Sequence, residues 1–226
     1  MGVRKLVRRL PPWVEFATVV CLAFGWPIFN SLWALVAVPS APHISAGHLR
    51  FVVAYELIVS AILLSLLGAR GRTATTVGLA PTLEDIFLGG TLVAAVWLAS
   101  AVTTLFVATM WPQAFRIVSA VDLGVGSLDL PTVVAVSVVN GTFEELFVCG
   151  YVMTALGRRH SVWTAINVSV AIRFSYHLYQ GPLAVVDIIP MGLICSYFYA
   201  RTGRLWPPIV AHAVLDFLAF AAYTGG

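Results

Sequence analysis

Two adjacent glutamates, Glu144 and Glu145, lie inside an otherwise apolar stretch that runs from Pro131 to Leu156. If this stretch crosses a bilayer, each ionised carboxylate is costly there and needs a partner or a function. Neighbouring residues on a helix point about 100° apart, so only one of the two can point directly into the interior of a helical bundle. The other is expected to meet a different helix or to pair with a cation.

Two later apolar stretches supply candidate partners. Arg173 and His177 are four residues apart, as are His212 and Asp216, and residues at this spacing share one face of a helix. A carboxylate beside a histidine can activate water as a general base, and a second histidine with a hydrogen-bonding neighbour can stabilise an oxyanion. The alternative is a divalent metal such as zinc held by Glu144, His177 and His212, although the sequence contains no HExxH motif.

The composition indicates a membrane protein. Of the 226 residues, 60% are hydrophobic and 10% are charged, with a mean hydropathy of +0.93. Soluble domains carry about 25% charged residues, so most of this surface is expected to face lipid. The net charge is only +3, and no basic stripe interleaves with aromatic residues. We therefore expect the lipid bilayer as a partner and no nucleic acid.

The expected fold is an all-α membrane protein, a polytopic bundle of about seven transmembrane helices. A helix needs about 20 residues to cross the hydrocarbon core, and seven stretches meet this requirement. Five, six or eight spans are alternatives if one segment is re-entrant. The outside segment 112–130 is interpreted as a loop or a short interfacial helix. The expected spans are roughly 13–38, 51–69, 86–111, 131–156, 161–180, 182–200 and 205–223.

The basic residues predict a cytoplasmic N-terminus. With that orientation only Arg50 and Arg116 lie in outside segments, and Arg173 is the one basic residue within a span. An excess of Lys and Arg on the cytoplasmic side is the usual signature of membrane topology. The basic residues of the inside segments are Arg4, Lys5, Arg8, Arg9, Arg70, Arg72, Arg158, Arg159, Arg201 and Arg204.

The polar pairs resemble the ordered motifs of the CPBP family, the CAAX-protease and bacteriocin-processing (Abi-like) intramembrane endopeptidases. That family carries Glu-Glu-x-x-x-Arg, then Phe-x-x-x-His, then His-x-x-x-Asn or Asp on successive core helices. Glu144-Glu145, His177 and His212/Asp216 match in order and approximate spacing, over about residues 131–220. The segments Tyr-His-Leu-Tyr-Gln-Gly and Thr-Gly-Arg-Leu-Trp-Pro are typical of bacterial members.

The resemblance implies a role for each residue. Glu144 is implied to be the base that activates water, assisted by His177, while His212 and Asp216 stabilise the oxyanion and Glu145 supports the site. Both a metal-dependent and a metal-free glutamate mechanism have been attributed to this fold, so the two stay open here. The implied organisation is an N-terminal unit of about three spans in residues 1–130 and a catalytic core of about four spans in 131–226.

The implied substrate is a membrane-associated peptide. It is a prenylated CAAX-like tail, a pheromone or bacteriocin precursor, or a membrane-anchored regulator. Two other functions compete with proteolysis. One is a catalytically silent family member that acts as a membrane scaffold or chaperone. The other is a proton-coupled transporter that uses Glu144, His177 and Asp216 as a relay.

Two positions depart from the family pattern. The first motif has Cys149 where the family has Arg, and the second has Arg173 where the family has Phe. An unpaired carboxylate and an unpaired guanidinium are both costly in a membrane. We therefore hypothesise that the guanidinium has moved to the fifth span and pairs there with Glu145 or Glu144.

The expected span boundaries create a conflict in depth. Glu144 lies in the middle of its span, His177 near the outer end and His212 nearer the inner end. At about 1.5 Å per residue, straight helices would leave roughly 10–15 Å between these residues. Tilts, kinks or shifted boundaries must close that gap if the three residues form one site.

Overall fold

The computed structural model describes residues 10–37, 44–119, 124–181 and 184–224. These residues are mostly helical, and each of the seven expected spans corresponds to one helix. The short helix α4 lies in the segment for which a loop and an interfacial helix were both considered. The helices are α1 (Pro12–Ala37), α2 (Ala46–Ala69), α3 (Glu84–Met110), α4 (Pro112–Ser119), α5 (Leu130–Gly157), α6 (Val162–Tyr176), α7 (Ala184–Thr202) and α8 (Trp206–Ala221).

Five of these helices, α1, α2, α3, α5 and α7, are long and apolar enough to cross a membrane. The predicted fold class, an all-α polytopic membrane bundle, is confirmed. In contrast, α6 has 15 residues and α8 has 16, fewer than the roughly 20 that a full crossing needs. The basic residues before Leu10 lie outside the described residues, and the cytoplasmic N-terminus stays a prediction.

The expected span at 161–180 is too long. Helix α6 ends at Tyr176, and the chain continues through a 3-10 turn at Leu178–Gln180. Gly181 then adopts a φ of +60°, a conformation that glycine reaches without the steric cost of a Cβ. The chain therefore changes direction soon after the Arg173 and His177 pair, so Arg173 lies in the last turn of a short helix and His177 is its C-cap residue.

Helix α5 is the centre of the bundle. It packs against α2, α6 and α8, while α1 packs on α6 and α3 packs on α8. Of the apolar window of α5, 67% is buried, compared with 11% in α3. The polar residues of α5 are therefore enclosed by other helices, and the lipid-facing surface belongs mainly to the outer helices. The exposed aromatic residues of this lipid-facing surface include Trp26, Phe29, Trp33, Phe87, Trp97 and Phe106.

The start of α5 is fixed by a capping carboxylate. The Asp129 side chain accepts a hydrogen bond from the backbone N–H of Thr132, and Pro131 follows in the first turn. Both residue types favour a helix start. The hydrogen bonds from Thr132, together with one of 2.6 Å from Arg50 on α2, lower the pKa of Asp129 to about 2. The cap therefore remains ionised at neutral pH and ties α2 to α5.

A second buried charged cluster was not foreseen from the sequence. Glu15, in the first turns of α1, is only 2% exposed and forms ion pairs with Arg70 and Arg72. The Tyr151 hydroxyl also donates to Glu15, at 3.1 Å. Glu15 lies inside a stretch that was interpreted as an apolar run. The cluster joins the start of α1 to the end of α2 and to α5.

Close packing of α5 against α8 depends on Gly141. A Cβ added at this position would lie 2.9 Å from the Ala213 backbone nitrogen, so the helices would have to move apart. We expect Gly141→Ala to destabilise the fold by about 1–3 kcal/mol, the range for overpacking a well-packed interior. Thermal unfolding of the purified protein in detergent measures this effect.

Gly90 provides the matched control for Gly141. It lies in the second turn of α3, where an added Cβ meets no atom within 4 Å. Gly90→Ala is expected to leave the melting temperature unchanged or to raise it, because alanine is the better helix former. Equal melting temperatures for the two variants would contradict the proposed contact.

Candidate active site

The two glutamates are both buried where α5 meets its neighbours. Glu144 is 5% exposed and Glu145 is fully buried. Directly after them, at Leu146–Met153, the helix changes from α to π hydrogen bonding. Wide turns of this kind occur frequently at functional sites. The pair therefore stands at an irregular point of the central helix.

Arg173 on α6 is the cation that the pair requires. Its Nη2 lies 2.5 Å from Glu145 Oε1, and its Nη1 lies 3.5 Å from Glu144 Oε2. The guanidinium is fully buried, and Gly192 on α7 leaves room for its stem, since an added Cβ would lie 3.4 Å from Arg173 Cδ. The hypothesised pairing is thus made with both carboxylates, and the contact with Glu145 is the shorter one. Cys149, at the family's Arg position, is also fully buried.

His212 on α8 contacts both glutamates. Its Nδ1 lies 2.8 Å from Glu145 Oε1, and its Nε2 lies 3.8 Å from Glu144 Oε2. Because Glu145 is paired with a guanidinium, it is an ionised acceptor, so the His212 Nδ1 carries the hydrogen. Glu145 therefore fixes the orientation of the ring and directs Nε2 toward Glu144.

The expected depth conflict between Glu144 and His212 is absent. Helix α8 begins inside the bundle, since Leu205 at its N-cap is fully buried and Pro207 is buried too. The Leu205 N–H donates to the carbonyl of Gly78, in the segment after α2. The distance of 3.8 Å between His212 Nε2 and Glu144 Oε2 shows that the second turn of α8 lies beside Glu144. The start of α8 agrees with the boundary predicted from the sequence.

His177 lies at the C-cap of α6, next to the cluster. Its Nδ1 is 3.0 Å from the carbonyl oxygen of Arg173, which can only accept, so this nitrogen carries the hydrogen. In the neutral ring, Nε2 is then the acceptor. Within the described part of the chain, His177 makes no hydrogen bond to Glu144. Four residues were expected to be catalytic. His177 is connected to Glu144 only through Arg173, whose backbone carbonyl it contacts.

Tyr176 makes the contact with Glu144 that sequence analysis did not assign. Its hydroxyl donates to Glu144 Oε2 at 2.6 Å, and its side chain is buried. The available signal was its position three residues after Arg173, which places both on one face of α6.

Asp216 has a partner on α5 that was also missed. Asn140 Nδ2 donates to Asp216 Oδ2 at 2.9 Å, and His212 Nε2 lies 3.6 Å from the same oxygen. Asn140 is four residues before Glu144, so helical spacing could have indicated it. The Asp216 side chain is 22% exposed and that of His212 is 3% exposed, so this side of the cluster is the more open one.

The donor arrangement does not fit a divalent metal. Glu144 Oε2 accepts the Tyr176 hydroxyl and faces the Arg173 guanidinium, and the His212 Nδ1 is engaged by Glu145. The positive charge of Arg173 beside the Glu144 carboxylate disfavours a metal cation at the same carboxylate. Among the residues that the structure describes, no group of three or more His, Cys, Asp or Glu side chains is positioned to hold a metal ion.

The described helices form a polytopic bundle around a buried polar cluster of Glu144, Glu145, Arg173 and His212. Residues 126–218 match the family model described as type II CAAX prenyl endopeptidase Rce1-like. This region of the chain is similar to the CAAX prenyl endopeptidases, which are membrane proteases, and the resemblance seen in the sequence is confirmed. Together with the five long apolar helices, this match indicates a multi-pass integral membrane protein.

The matched region contains all residues of the cluster, including Asn140, Arg173 and Tyr176. No curated protein and no solved structure matches the chain significantly. The division into an N-terminal unit of residues 1–130 and a core of residues 131–226 stays a prediction.

Proposed function

We propose that this protein hydrolyses a peptide bond of a membrane-anchored peptide or protein, with Glu144 activating the attacking water. The observation that carries this proposal is the position of Glu144 in the region matched to CAAX proteases. The carboxylate accepts a hydrogen bond from Tyr176 and lies within 4 Å of Arg173 and His212. These neighbours fix its orientation, as a general base requires.

The reaction balances with a single carboxylate. Glu144 accepts one proton from water while the water oxygen bonds to the scissile carbonyl carbon, and the π electron pair of the carbonyl moves to its oxygen. When that pair returns, the C–N bond breaks and its electrons go to nitrogen. The protonated Glu144 then gives its proton to the leaving amine. The products are a carboxyl and an amine terminus, and Glu144 is again a carboxylate.

Two different roles for the adjacent glutamates follow from their contacts. Glu145 is fully buried and accepts from both Arg173 and the His212 Nδ1, so its charge is engaged. Glu144 is slightly less enclosed, at 5% exposed, and lies 3.8 Å from the His212 ring that faces the partly exposed Asp216. We therefore assign base catalysis to Glu144 and a supporting role to Glu145.

The two histidines assist at different points of the reaction. His177, whose Nδ1 is bonded to a backbone carbonyl, offers its Nε2 to the attacking water. His212 directs Nε2 toward Glu144 and Asp216, and when this nitrogen is protonated it donates to the developing oxyanion. Asp216, four residues later on α8, completes this end of the site.

A cleavage assay tests the function. The purified full-length protein in nanodiscs is incubated with three fluorogenic peptides: a farnesylated peptide with a CAAX terminus, the same peptide without the lipid, and a peptide with an apolar membrane-spanning anchor. Cleavage of a membrane-anchored peptide by the wild type, with the bond identified by mass spectrometry, supports the proposal. Failure to cleave all three, while liposomes containing the protein show proton-coupled uptake, would favour the transporter instead.

We expect chelators to leave the cleavage rate within about twofold of its value in untreated enzyme. The proposed mechanism draws the nucleophile from Glu144 alone, and the side chains around it do not form a metal-binding group among the described residues. The measurement compares initial rates after dialysis against EDTA or 1,10-phenanthroline. Loss of activity that added Zn²⁺ restores would show that the mechanism is metal-dependent.

A further inference from the structure

We propose that Asn140 donates the amide hydrogen bond that stabilises the oxyanion, and that Asp216 positions this amide. The inference rests on the proposed proteolytic function and names a residue that neither the motifs nor the family match assigns. It identifies Asn140 as a catalytic residue and Asp216 as a positioning residue.

The starting point is the chemistry of Asp216. An ionised carboxylate only accepts hydrogen bonds. Asp216 therefore cannot itself supply a donor in that state. A primary amide carries two N–H groups and no charge, so it donates to an anionic oxygen without changing its protonation state.

The geometry brings two donors to one point. Asn140 Nδ2 lies 2.9 Å and His212 Nε2 lies 3.6 Å from a single atom, Asp216 Oδ2. The same His212 nitrogen is 3.8 Å from Glu144 Oε2, the carboxylate that is proposed to deliver water. Asp216 Oδ2 therefore holds the amide and the imidazole side by side next to Glu144, and donors of these two kinds are the ones that oxyanion holes use.

Asn140 is also placed correctly along the chain. It is four residues before Glu144, so both side chains lie on one face of α5. One N–H of the amide is engaged by Asp216, and the second has no hydrogen-bond acceptor among the described residues. That second N–H is the donor for the oxyanion, which forms when the carbonyl π pair moves to oxygen and disappears when the pair returns.

The experiment compares four variants of the full-length protein with the wild type, using whichever probe peptide the wild type cleaves. Asn140→Ala is expected to lower kcat by about 100- to 1,000-fold with little change in KM, because the bond forms only in the transition state. Asn140→Asp is expected to lose at least as much. The exchange variant Asn140→Asp/Asp216→Asn keeps one amide and one carboxylate in contact, with the amide now on α8. It is expected to recover most of the activity that Asn140→Asp loses. Asn167→Ala, on the exposed face of α6, is the matched control and should match the wild type.

A tetrahedral inhibitor separates a catalytic from a structural role. A phosphinic peptide of the probe sequence imitates the intermediate, and its affinity is expected to fall in parallel with kcat/KM in Asn140→Ala, while KM for the substrate stays constant. Equal weakening of substrate and inhibitor would mean that Asn140 only joins α5 to α8, and would overturn the inference. Unchanged kcat in Asn140→Ala would overturn it too, while leaving the proteolytic function established. Absence of cleavage by the wild type would overturn the function and this inference together.

Discussion

Glu144→Gln is expected to reduce kcat for peptide cleavage by about 100- to 10,000-fold, the range for loss of a general base. Glutamine preserves the shape of the side chain. In the wild type the Tyr176 hydroxyl donates to Glu144 at 2.6 Å, and the amide oxygen of glutamine can accept the same hydrogen bond. It cannot accept a proton from water. The measurement is the single-turnover rate with the peptide that the wild type cleaves, together with the melting temperature.

The neighbouring substitution Glu145→Gln is the natural comparison. Removing this charge leaves the fully buried Arg173 without its shortest ion pair, so the main effect is expected on folding. Glu144→Gln should therefore be folded and inactive, while Glu145→Gln should be strongly destabilised. If instead Glu144→Gln cleaves at the wild-type rate, the base is another group and the proposed mechanism is wrong.

The sequence allowed the helices and the main contacts of the site to be predicted, because both have local signals. Long apolar stretches identified the spans, and the i, i+4 pairs on α6 and α8 identified faces that carry polar residues. The cost of unpaired charge in lipid was enough to predict that Arg173 pairs with the glutamates of α5. Each of these inferences uses spacing within one helix or a general energetic rule.

The remaining features depend on how helices pack, which spacing does not reveal. The position of α8 depends on the burial of Leu205 and on its hydrogen bond to Gly78, a contact between distant segments. The Glu15 cluster likewise joins residues that are far apart in sequence. Asn140 and Tyr176 have the right helical spacing, but asparagine and tyrosine are common in such positions. Only the packing of the helices shows that Asn140 contacts Asp216 and that Tyr176 contacts Glu144.

Arg173→Met is expected to destabilise the protein by about 3–5 kcal/mol, the usual cost of removing one member of a buried ion pair. The guanidinium is fully buried. Among the described residues, no other Arg or Lys side chain contacts Glu145. Methionine fills part of the volume but leaves Glu145 with His212 as its remaining partner. Chemical or thermal unfolding in detergent, beside the level of protein in the membrane fraction, measures the loss.

A second variant tests whether the charge or the position matters. Cys149→Arg/Arg173→Phe returns the guanidinium to the place it has in the CPBP motif, one helical turn after Glu145. The exchange adds volume at Cys149 on α5 and makes the residue at 173 apolar on α6. If the pair needs a cation from either helix, the exchange should recover much of the stability and activity that Arg173→Met loses. An exchange variant that is inactive, beside an Arg173→Met variant that behaves as wild type, would show that Glu145 does not depend on a guanidinium. Recovery would instead mean that the ionic partner of the glutamates can be supplied from either α5 or α6, with Glu144 free to act on water in both cases.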